Sequence, residues 1–206
     1  MKRADPMAVT QSASITIRPD DALVLADIQN DFLPGGSLAV PRSDTIIPRV
    51  RLYLTRFLSV PAPIFLTRDW HPRHHCSFRA QGGPWPEHCV AETRGAAPPE
   101  DLWIPDAAVI VHKATRVDQE VYSAFQGTHL NEQLKAVGAR RLFIGGLATE
   151  YCVLNSVRDA RRLRYPVYLL MDAIGAIDRN PGDGLAAERE MIELGAVPIR
   201  FEDLTT

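Results

Sequence analysis

Three side chains that supply an acid, an amine and a nucleophile each follow a short apolar run in the sequence. Asp27 directly follows the first run, Lys113 comes two residues after the third, and Cys152 opens the helix after the fourth. Because the carboxyl ends of parallel strands meet at one edge of a sheet, we expect these three side chains to lie close together. A carboxylate can take a thiol proton and return it to a leaving amine, while an ammonium stabilises the thiolate. The trio predicts nucleophilic attack on a carbonyl group.

The segment GGLATEYC before and around Cys152 predicts the start of a helix. A helix N-terminus favours a thiolate, and its free backbone N–H groups, here those near Ala148 and of Cys152, can hold an oxyanion. Each member of the trio also has a structural alternative. A buried cysteine is commonly a small hydrophobe, an aspartate at a strand end commonly caps a turn, and a lysine there is commonly solvated.

A second group of reactive residues falls in the segment DWHPRHHCSF and in WPEHCV after it. Asp69 and His71 are separated by one residue, and His88 follows 17 residues after His71. One carboxylate and two imidazoles that leave coordination positions open suit a catalytic Zn²⁺ or Fe²⁺ site. His74, His75 and Cys89 could also reach such a metal. The alternative is a polar loop whose imidazoles form hydrogen bonds with the backbone.

Aromatic residues accompany both groups and could wall a pocket for a flat ring. They are Phe32, Trp70, Trp85 and Tyr122. Such residues more commonly pack in a hydrophobic core, so the pattern alone leaves both interpretations open.

The elements that must position these residues alternate between short apolar runs and amphipathic segments of helical length, which is typical of a parallel sheet built from βαβ units. Six strands are predicted: Ala22–Ala26, Ala62–Thr67, Ala107–Val111, Arg141–Ile144, Val167–Leu170 and Ala196–Arg200. Four helices are predicted: Asp44–Leu58, Leu130–Val137, Glu150–Leu163 and Gly184–Leu194. We therefore expect a three-layer α/β/α sandwich with a mainly parallel six-stranded sheet. The long strand-free stretch from Asp69 to Asp106 is expected to carry function.

Composition narrows the classes of function. The chain has 206 residues, 46% of them hydrophobic, with a formal net charge of -2 and no basic stripe, so neither nucleic acid nor a membrane is an expected partner. Three cysteines without a C-x-x-C pair favour a reducing cytoplasm. Residues 1–20 are interpreted as a flexible leader and residues 21–206 as one domain.

The sequence closely resembles the nicotinamidase/pyrazinamidase group of the isochorismatase-like hydrolases from Asp21 to Phe201. The motifs that carry the resemblance occur in the expected order and are DIQNDFLPGGSLAV, TRDWHPRHHCSF, GGPWPEHCV, HKATRVDQEVYSAFQGT and GGLATEYCV. The stretch between Phe78 and Trp85 is shorter than in some members, so the resemblance implies nothing about the lid and the subunit contacts.

The resemblance implies a role for each matching residue. Asp27, Lys113 and Cys152 would form a catalytic triad, and the N–H groups of Ala148 and Cys152 the oxyanion hole, next to a cis peptide between Leu147 and Ala148. The implied metal ligands are Asp69, His71 and His88, with His75 as an extra ligand or a neighbouring group. The implied substrate-binding residues are Phe32 and Trp85, which would sandwich a pyridine ring, together with Leu38 and Tyr122.

The activity implied by the resemblance is hydrolysis of nicotinamide to nicotinate and ammonia through a thioester on the cysteine, with activity on pyrazinamide as well. One divalent metal ion would hold the ring; zinc is the first expectation, with iron and manganese as alternatives. The expected partner is a small aromatic amide, and a homo-oligomer is compatible with the family. Two other functions stay open from the residues: another amidohydrolase acting on a carbamoyl or ureido amide, and a catalytically silent binding domain.

Overall fold

The computed structural model describes residues 14–205 and contains the predicted six-stranded sheet. Its strands are β2 (Asp21–Ala26), β3 (Ile64–Asp69), β4 (Val109–Lys113), β5 (Arg141–Leu147), β6 (Val167–Gly175) and β7 (Val197–Ile199). Their order across the sheet is β4-β3-β2-β5-β6-β7, and every pair is parallel. All six residues of β2, DALVLA, are buried, as expected for a strand covered on both faces.

Helices cover both faces of the sheet. Helix α1 (Ile47–Ser59) packs through Val50, Leu54 and Phe57 into one hydrophobic cluster. Three helices contribute to the cluster on the opposite face: α2 (Leu130–Ala136), α3 (Leu154–Arg162) and α4 (Asp183–Glu193). The prediction of a three-layer α/β/α sandwich is therefore confirmed. Within residues 14–205, the helices lack the combination of length and apolar character that crossing a bilayer requires.

The predicted ends of several elements need correction. Strand β4 ends at Lys113, so this lysine is the last residue of the strand instead of lying beyond it. Strands β5 and β6 run three and five residues further than predicted, to Leu147 and Gly175. The helix predicted from Glu150 begins as a π-helical turn over Thr149–Val153 and becomes α-helical only at Leu154. Apolar periodicity identifies each element but does not specify where its backbone hydrogen bonds stop.

Residues 15–17, which precede the sheet, are ordered. The predicted leader falls mainly on residues 1–13, which lie outside the described residues, but strand β1 (Ile15–Thr16) pairs in parallel with β8 (Leu204–Thr205). Ile17 is buried in the core next to it. The prediction of a flexible leader up to residue 20 is therefore wrong for residues 15–17.

The strand order locates the position at which ligands bind in such sheets. From β2 the chain adds β3 and β4 on one side and then returns to place β5 on the other side. Ligands of open parallel sheets bind at the carboxyl ends of strands where the order reverses, here between β2 and β5. Asp27 follows β2, and Cys152 follows β5.

Candidate active site

The ends of three strands bring the predicted trio together. The Nζ atom of Lys113 lies 3.1 Å from Asp27 Oδ2 and 3.4 Å from Cys152 Sγ. All three residues are buried, and the burial of Lys113 is compensated by these two groups and by Asp69, whose Oδ1 lies 2.5 Å from the same Nζ. The two carboxylates raise the pKa of Lys113 well above its usual value although burial alone would lower it. The lysine is thus a permanent cation at the centre of the site.

Asp27 is held in a conformation that residues other than glycine seldom adopt, with φ of 49°. Its N–H donates to the carbonyl of Thr67 at 3.2 Å, and Thr67 Oγ1 donates to Asp27 Oδ1 at 2.6 Å. The other oxygen, Oδ2, makes no hydrogen bond of normal geometry within residues 14–205 and is the oxygen beside Lys113. Burial raises the pKa of Asp27 to about 6, with Lys113 acting in the opposite direction. Asp27 is therefore an ionised base near neutral pH.

Burial also raises the pKa of Cys152 well above its usual value, although Lys113 lowers it. The expected effect of Lys113 is present, but the cost of burying the sulfur anion is larger and keeps the pKa above its usual value. The thiol rests protonated, and the arrangement suits proton transfer to Asp27 as the sulfur attacks.

The end of strand β5 lies very close to the backbone of β2. Gly146 has φ of 116°, and a β-carbon there would lie 2.1 Å from the carbonyl oxygen of Ala26. The following Leu147–Ala148 peptide is cis, as the resemblance implies. Ala148 then precedes the π-helical turn, and both Ala148 and Cys152 line the same pocket. The position of these residues is compatible with an oxyanion hole formed by their N–H groups.

The predicted metal donors are adjacent to the trio. One ligand atom from each of Asp69, His71 and His88 lies within 4.8 Å of the others, and all three residues are buried. His88 Nδ1 lies 2.8 Å from the carbonyl oxygen of Pro86, which fixes the proton on Nδ1 and leaves Nε2 for a ligand.

His71 and Asp69 have the protonation states that ligation requires. His71 Nδ1 makes no hydrogen bond within residues 14–205, and burial lowers the pKa of His71 to about 3, so that its ring is neutral. Burial alone would raise the pKa of Asp69, but Lys113 and the neighbouring imidazoles bring it below its usual value. An anionic carboxylate and two imidazoles with available nitrogens fit a divalent metal ion.

His75 lies beside this donor set with both ring nitrogens engaged. Its Nδ1 is 2.7 Å from Ser77 Oγ and its Nε2 is 3.0 Å from the carbonyl oxygen of Gln119. The ring centroid of His75 lies 4.2 Å from that of His71. These contacts favour the alternative that His75 supports His71 over direct ligation. His74 is exposed and is not part of the donor set.

A narrow pocket of about 20 Å³ opens in front of Cys152 and the metal donors. All four predicted substrate-binding residues line it: Phe32, Leu38, Trp85 and Tyr122. Trp85 Nε1 donates a hydrogen bond to the Tyr122 hydroxyl at 3.0 Å, which fixes two of the walls relative to each other. Trp70, by contrast, stacks on His112 at a centroid distance of 4.3 Å and does not line this pocket.

Sequence reasoning missed three residues of the pocket wall, namely Glu120, Tyr151 and Ile177. Tyr151 packs edge-on against Trp85 with ring centroids 4.9 Å apart. Its position next to Cys152 in the first helical turn was a usable signal. Glu120 and Ile177 lie in connections whose course the sequence does not specify.

Comparisons with known proteins agree with this geometry. The isochorismatase domain family matches residues 21–203. The nicotinamidase of Escherichia coli (strain K12) is 34% identical over 90% of this chain and 97% of its own length. The crystal structure of pyrazinamidase of Pyrococcus horikoshii in complex with zinc is 46% identical, with a TM-score of 0.85 over 89% of this chain and 100% of that one. PnC1 from L. infantum in complex with nicotinate is 32% identical, with a TM-score of 0.87 over 93% and 98% of the two chains. The chain belongs to the isochorismatase family.

Proposed function

We propose that this protein is a nicotinamidase, an amidohydrolase that converts nicotinamide to nicotinate and ammonia and also accepts pyrazinamide. The observation that carries the proposal is the contact of one lysine with both an acid and a thiol, in a pocket that also contains a metal donor set. Relatives named as nicotinamidases and a structural neighbour that holds nicotinate support the choice of substrate.

The first half-reaction uses all three members of the trio. Asp27 accepts the thiol proton while Cys152 Sγ attacks the amide carbon, and Lys113 stabilises the negative charge on sulfur as it develops. The N–H groups of Ala148 and Cys152 hold the carbonyl oxygen as it becomes an oxyanion. Asp27 then gives its proton to the leaving nitrogen, so that ammonia departs and a thioester remains on Cys152.

The second half-reaction regenerates the enzyme. Asp27 removes a proton from water, whose oxygen attacks the thioester carbon. The carbon–sulfur bond breaks, the proton held by Asp27 returns to the sulfur, and the carboxylic acid product gives its proton to solvent and leaves as nicotinate. The pKa of about 6 for Asp27 lets the same carboxylate act as a base and then as an acid near neutral pH.

Asp69, His71 and His88 would hold one divalent metal ion at the floor of the pocket. We propose zinc, with iron and manganese as alternatives, since the donors suit all three and a neighbour of 46% identity binds zinc. The bound ion would act as a Lewis acid that anchors and polarises the aromatic ring.

Several other expectations stay predictions. The three cysteines are free, which is compatible with a reducing cytoplasm. A single domain over residues 21–206, a homo-oligomer and the absence of nucleic acid as a partner also remain predictions. A silent binding domain is disfavoured because the lysine contacts both the acid and the thiol, an arrangement that binding alone does not need.

The nucleophile is tested by measuring ammonia release from nicotinamide. Cys152→Ala should reduce turnover to background while leaving the thermal melting temperature and the metal content close to those of the wild type. Cys76→Ala is the matched control, because Cys76 is a free cysteine outside the pocket, and this variant should keep full activity. Retained turnover in Cys152→Ala would remove the sulfur from the mechanism.

A further inference from the structure

Two polar side chains in the segment after β2 contact the backbone of a metal donor or of the residue next to one, without entering the donor set. Gln29 is completely buried, and its amide forms three hydrogen bonds. Its Oε1 accepts the N–H of Asp69 at 2.8 Å, and its Nε2 donates to the carbonyl oxygens of Asp69 at 2.8 Å and of Ala96 at 3.0 Å. A single side chain thus engages both backbone groups of Asp69.

The Gln29 side chain makes the hydrogen bonds to Asp69 that the main chain of a longer β2 would make. In a parallel ladder the N–H and C=O of alternate residues face the same neighbour, and Thr67 bonds to Asp27 on the β2 side. Asp69, two residues later, faces the same side, but β2 has ended and the chain has turned away at Asp27. The amide of Gln29 takes the place of the absent main chain, so that the end of β3 stays in a strand conformation.

Asp31 performs a related task for the other two donors. Its Oδ2 accepts the N–H of Cys89 at 2.7 Å, directly after His88, and Cys89 has a left-handed φ of 45°. The carbonyl of the same Cys89 accepts the N–H of His71 at 3.0 Å. One carboxylate therefore fixes the residue that connects His88 to His71.

We infer that Gln29 and Asp31 are positioning residues that hold the three metal donors at binding distance. The inference rests on the proposed metal site and adds the residues that keep its donors in place. Two of the donors lie in a long loop, where each would otherwise move independently and the entropy of ordering them would weaken metal binding. The clamp formed by Gln29 and Asp31 removes that freedom before the metal binds.

Asn30, between the two clamp residues, provides a matched control. Its Nδ2 donates to the carbonyl oxygens of Arg94 at 2.8 Å and Pro98 at 3.2 Å. It therefore ties the same segment to the same loop through the same number of backbone acceptors as Gln29 Nε2, but it contacts neither a donor nor a residue next to one. A general loosening of the loop should follow from Asn30→Ala as well as from the clamp variants, whereas a specific loss of metal binding should not.

The test measures Zn²⁺ affinity by competition with a colorimetric chelator for the wild type, Gln29→Met, Asp31→Ala, Asp31→Asn and Asn30→Ala. Gln29→Met and Asp31→Ala should weaken Zn²⁺ binding by roughly 10- to 100-fold, the usual effect of removing a group that orients a ligand. Asn30→Ala should stay within about threefold of the wild type, well below that range. Asp31→Asn keeps one acceptor oxygen and should fall between the wild type and Asp31→Ala.

A second readout separates donor geometry from stability. The visible absorption spectrum of the Co²⁺-loaded protein should change in Gln29→Met and Asp31→Ala, but not in Asn30→Ala. The inference would be overturned if the Asp31 variants had the same Zn²⁺ affinities and Co²⁺ spectra as Asn30→Ala. If Gln29→Met does not fold, the Asp31 variants alone decide the question.

His88→Ala separates failure of the clamp from failure of the proposed site. If the wild type binds no Zn²⁺ more tightly than His88→Ala, the metal site itself is wrong. If the wild type binds Zn²⁺, His88→Ala does not, and the clamp variants bind as the wild type does, only the clamp is wrong.

Discussion

The proposed catalytic trio and the proposed metal donor set lie side by side, but the chain positions them by different means. Asp27, Lys113 and Cys152 are attached to the ends of three hydrogen-bonded strands. Of the metal donors, only Asp69 belongs to a strand, while His71 and His88 lie in the connection from β3 to β4, where an isolated bridge joins His71 to Val90. The register of the sheet fixes the first group, whereas single side chains and short backbone contacts fix the second.

We therefore expect amino-acid substitutions in the two regions to have different effects on neighbouring residues. When a side chain fixed by the sheet is substituted, its chemical function is lost but the residues around it stay in place. A group fixed by individual contacts can be displaced by a change at a residue that it merely touches.

The largest effect is expected at Lys113, where the two regions meet. Lys113→Met leaves Asp27 and Asp69 buried without their common cation, and breaking such a buried pair costs about 3–5 kcal/mol of folding free energy. Turnover should also fall by roughly 100- to 1,000-fold, because the charge that stabilises the attacking sulfur is lost. Urea unfolding and ammonia release measure the two effects.

The exposed lysine of α2 is the control for this substitution. Lys135→Met removes a charge of the same kind from the surface and should leave both quantities close to their wild-type values. A Lys113→Met protein that kept more than about a tenth of wild-type turnover would contradict an electrostatic role for the lysine, since such roles are worth at least about 100-fold.

A smaller effect concerns the pH dependence of the trio. Asp27 must be ionised to accept the thiol proton, and its pKa is raised from 3.8 to about 6, so kcat/KM should fall as the pH decreases below about 6. Thr67 donates a hydrogen bond to the carboxylate and thereby favours the ionised form. Thr67→Val should therefore raise the pKa of Asp27 and move the acidic limb to higher pH. A limb that moves to lower pH, or stays in place, would show that another group controls it.

The smallest effect is expected at the pocket wall. Tyr122→Phe removes the acceptor for Trp85 Nε1 but keeps the ring, and a neutral hydrogen bond of about 1 kcal/mol corresponds to a change in KM of about fivefold. The value of kcat should change little, because neither residue belongs to the trio. Tyr165→Phe, which loses a hydroxyl contact with Asn131 remote from the pocket, should leave KM unchanged. A drop in kcat without a change in KM would indicate a direct part in the chemistry.

The same contrast explains what the sequence could predict. Six apolar runs sufficed for the sheet, and the rule for strand ends placed Asp27, Lys113 and Cys152 correctly. The residue types and spacing of Asp69, His71 and His88 indicated a metal site, and the structure brings the three side chains together. Gln29 and Asp31 lie in the first motif of the resemblance, but their contacts could not be predicted, because they are made to backbone groups that lie 40 and 58 residues away in the chain.

The protonation state of Cys152 could not be predicted from the sequence either. The helix start at Cys152 suggested a thiolate, but the extent of burial, which depends on the whole fold, outweighs that local effect. The composition showed that the chain is rich in apolar residues, but not that these residues enclose the site.

Strand β7 has a consequence for self-association of the folded protein. It is the outermost strand on its side of the sheet, spans only Val197–Ile199 and contains Pro198. A proline lacks an N–H group, and short edge strands offer few partners to an incoming chain. Growth of the sheet by addition of a second molecule, as in fibrous aggregates, is therefore disfavoured along this border.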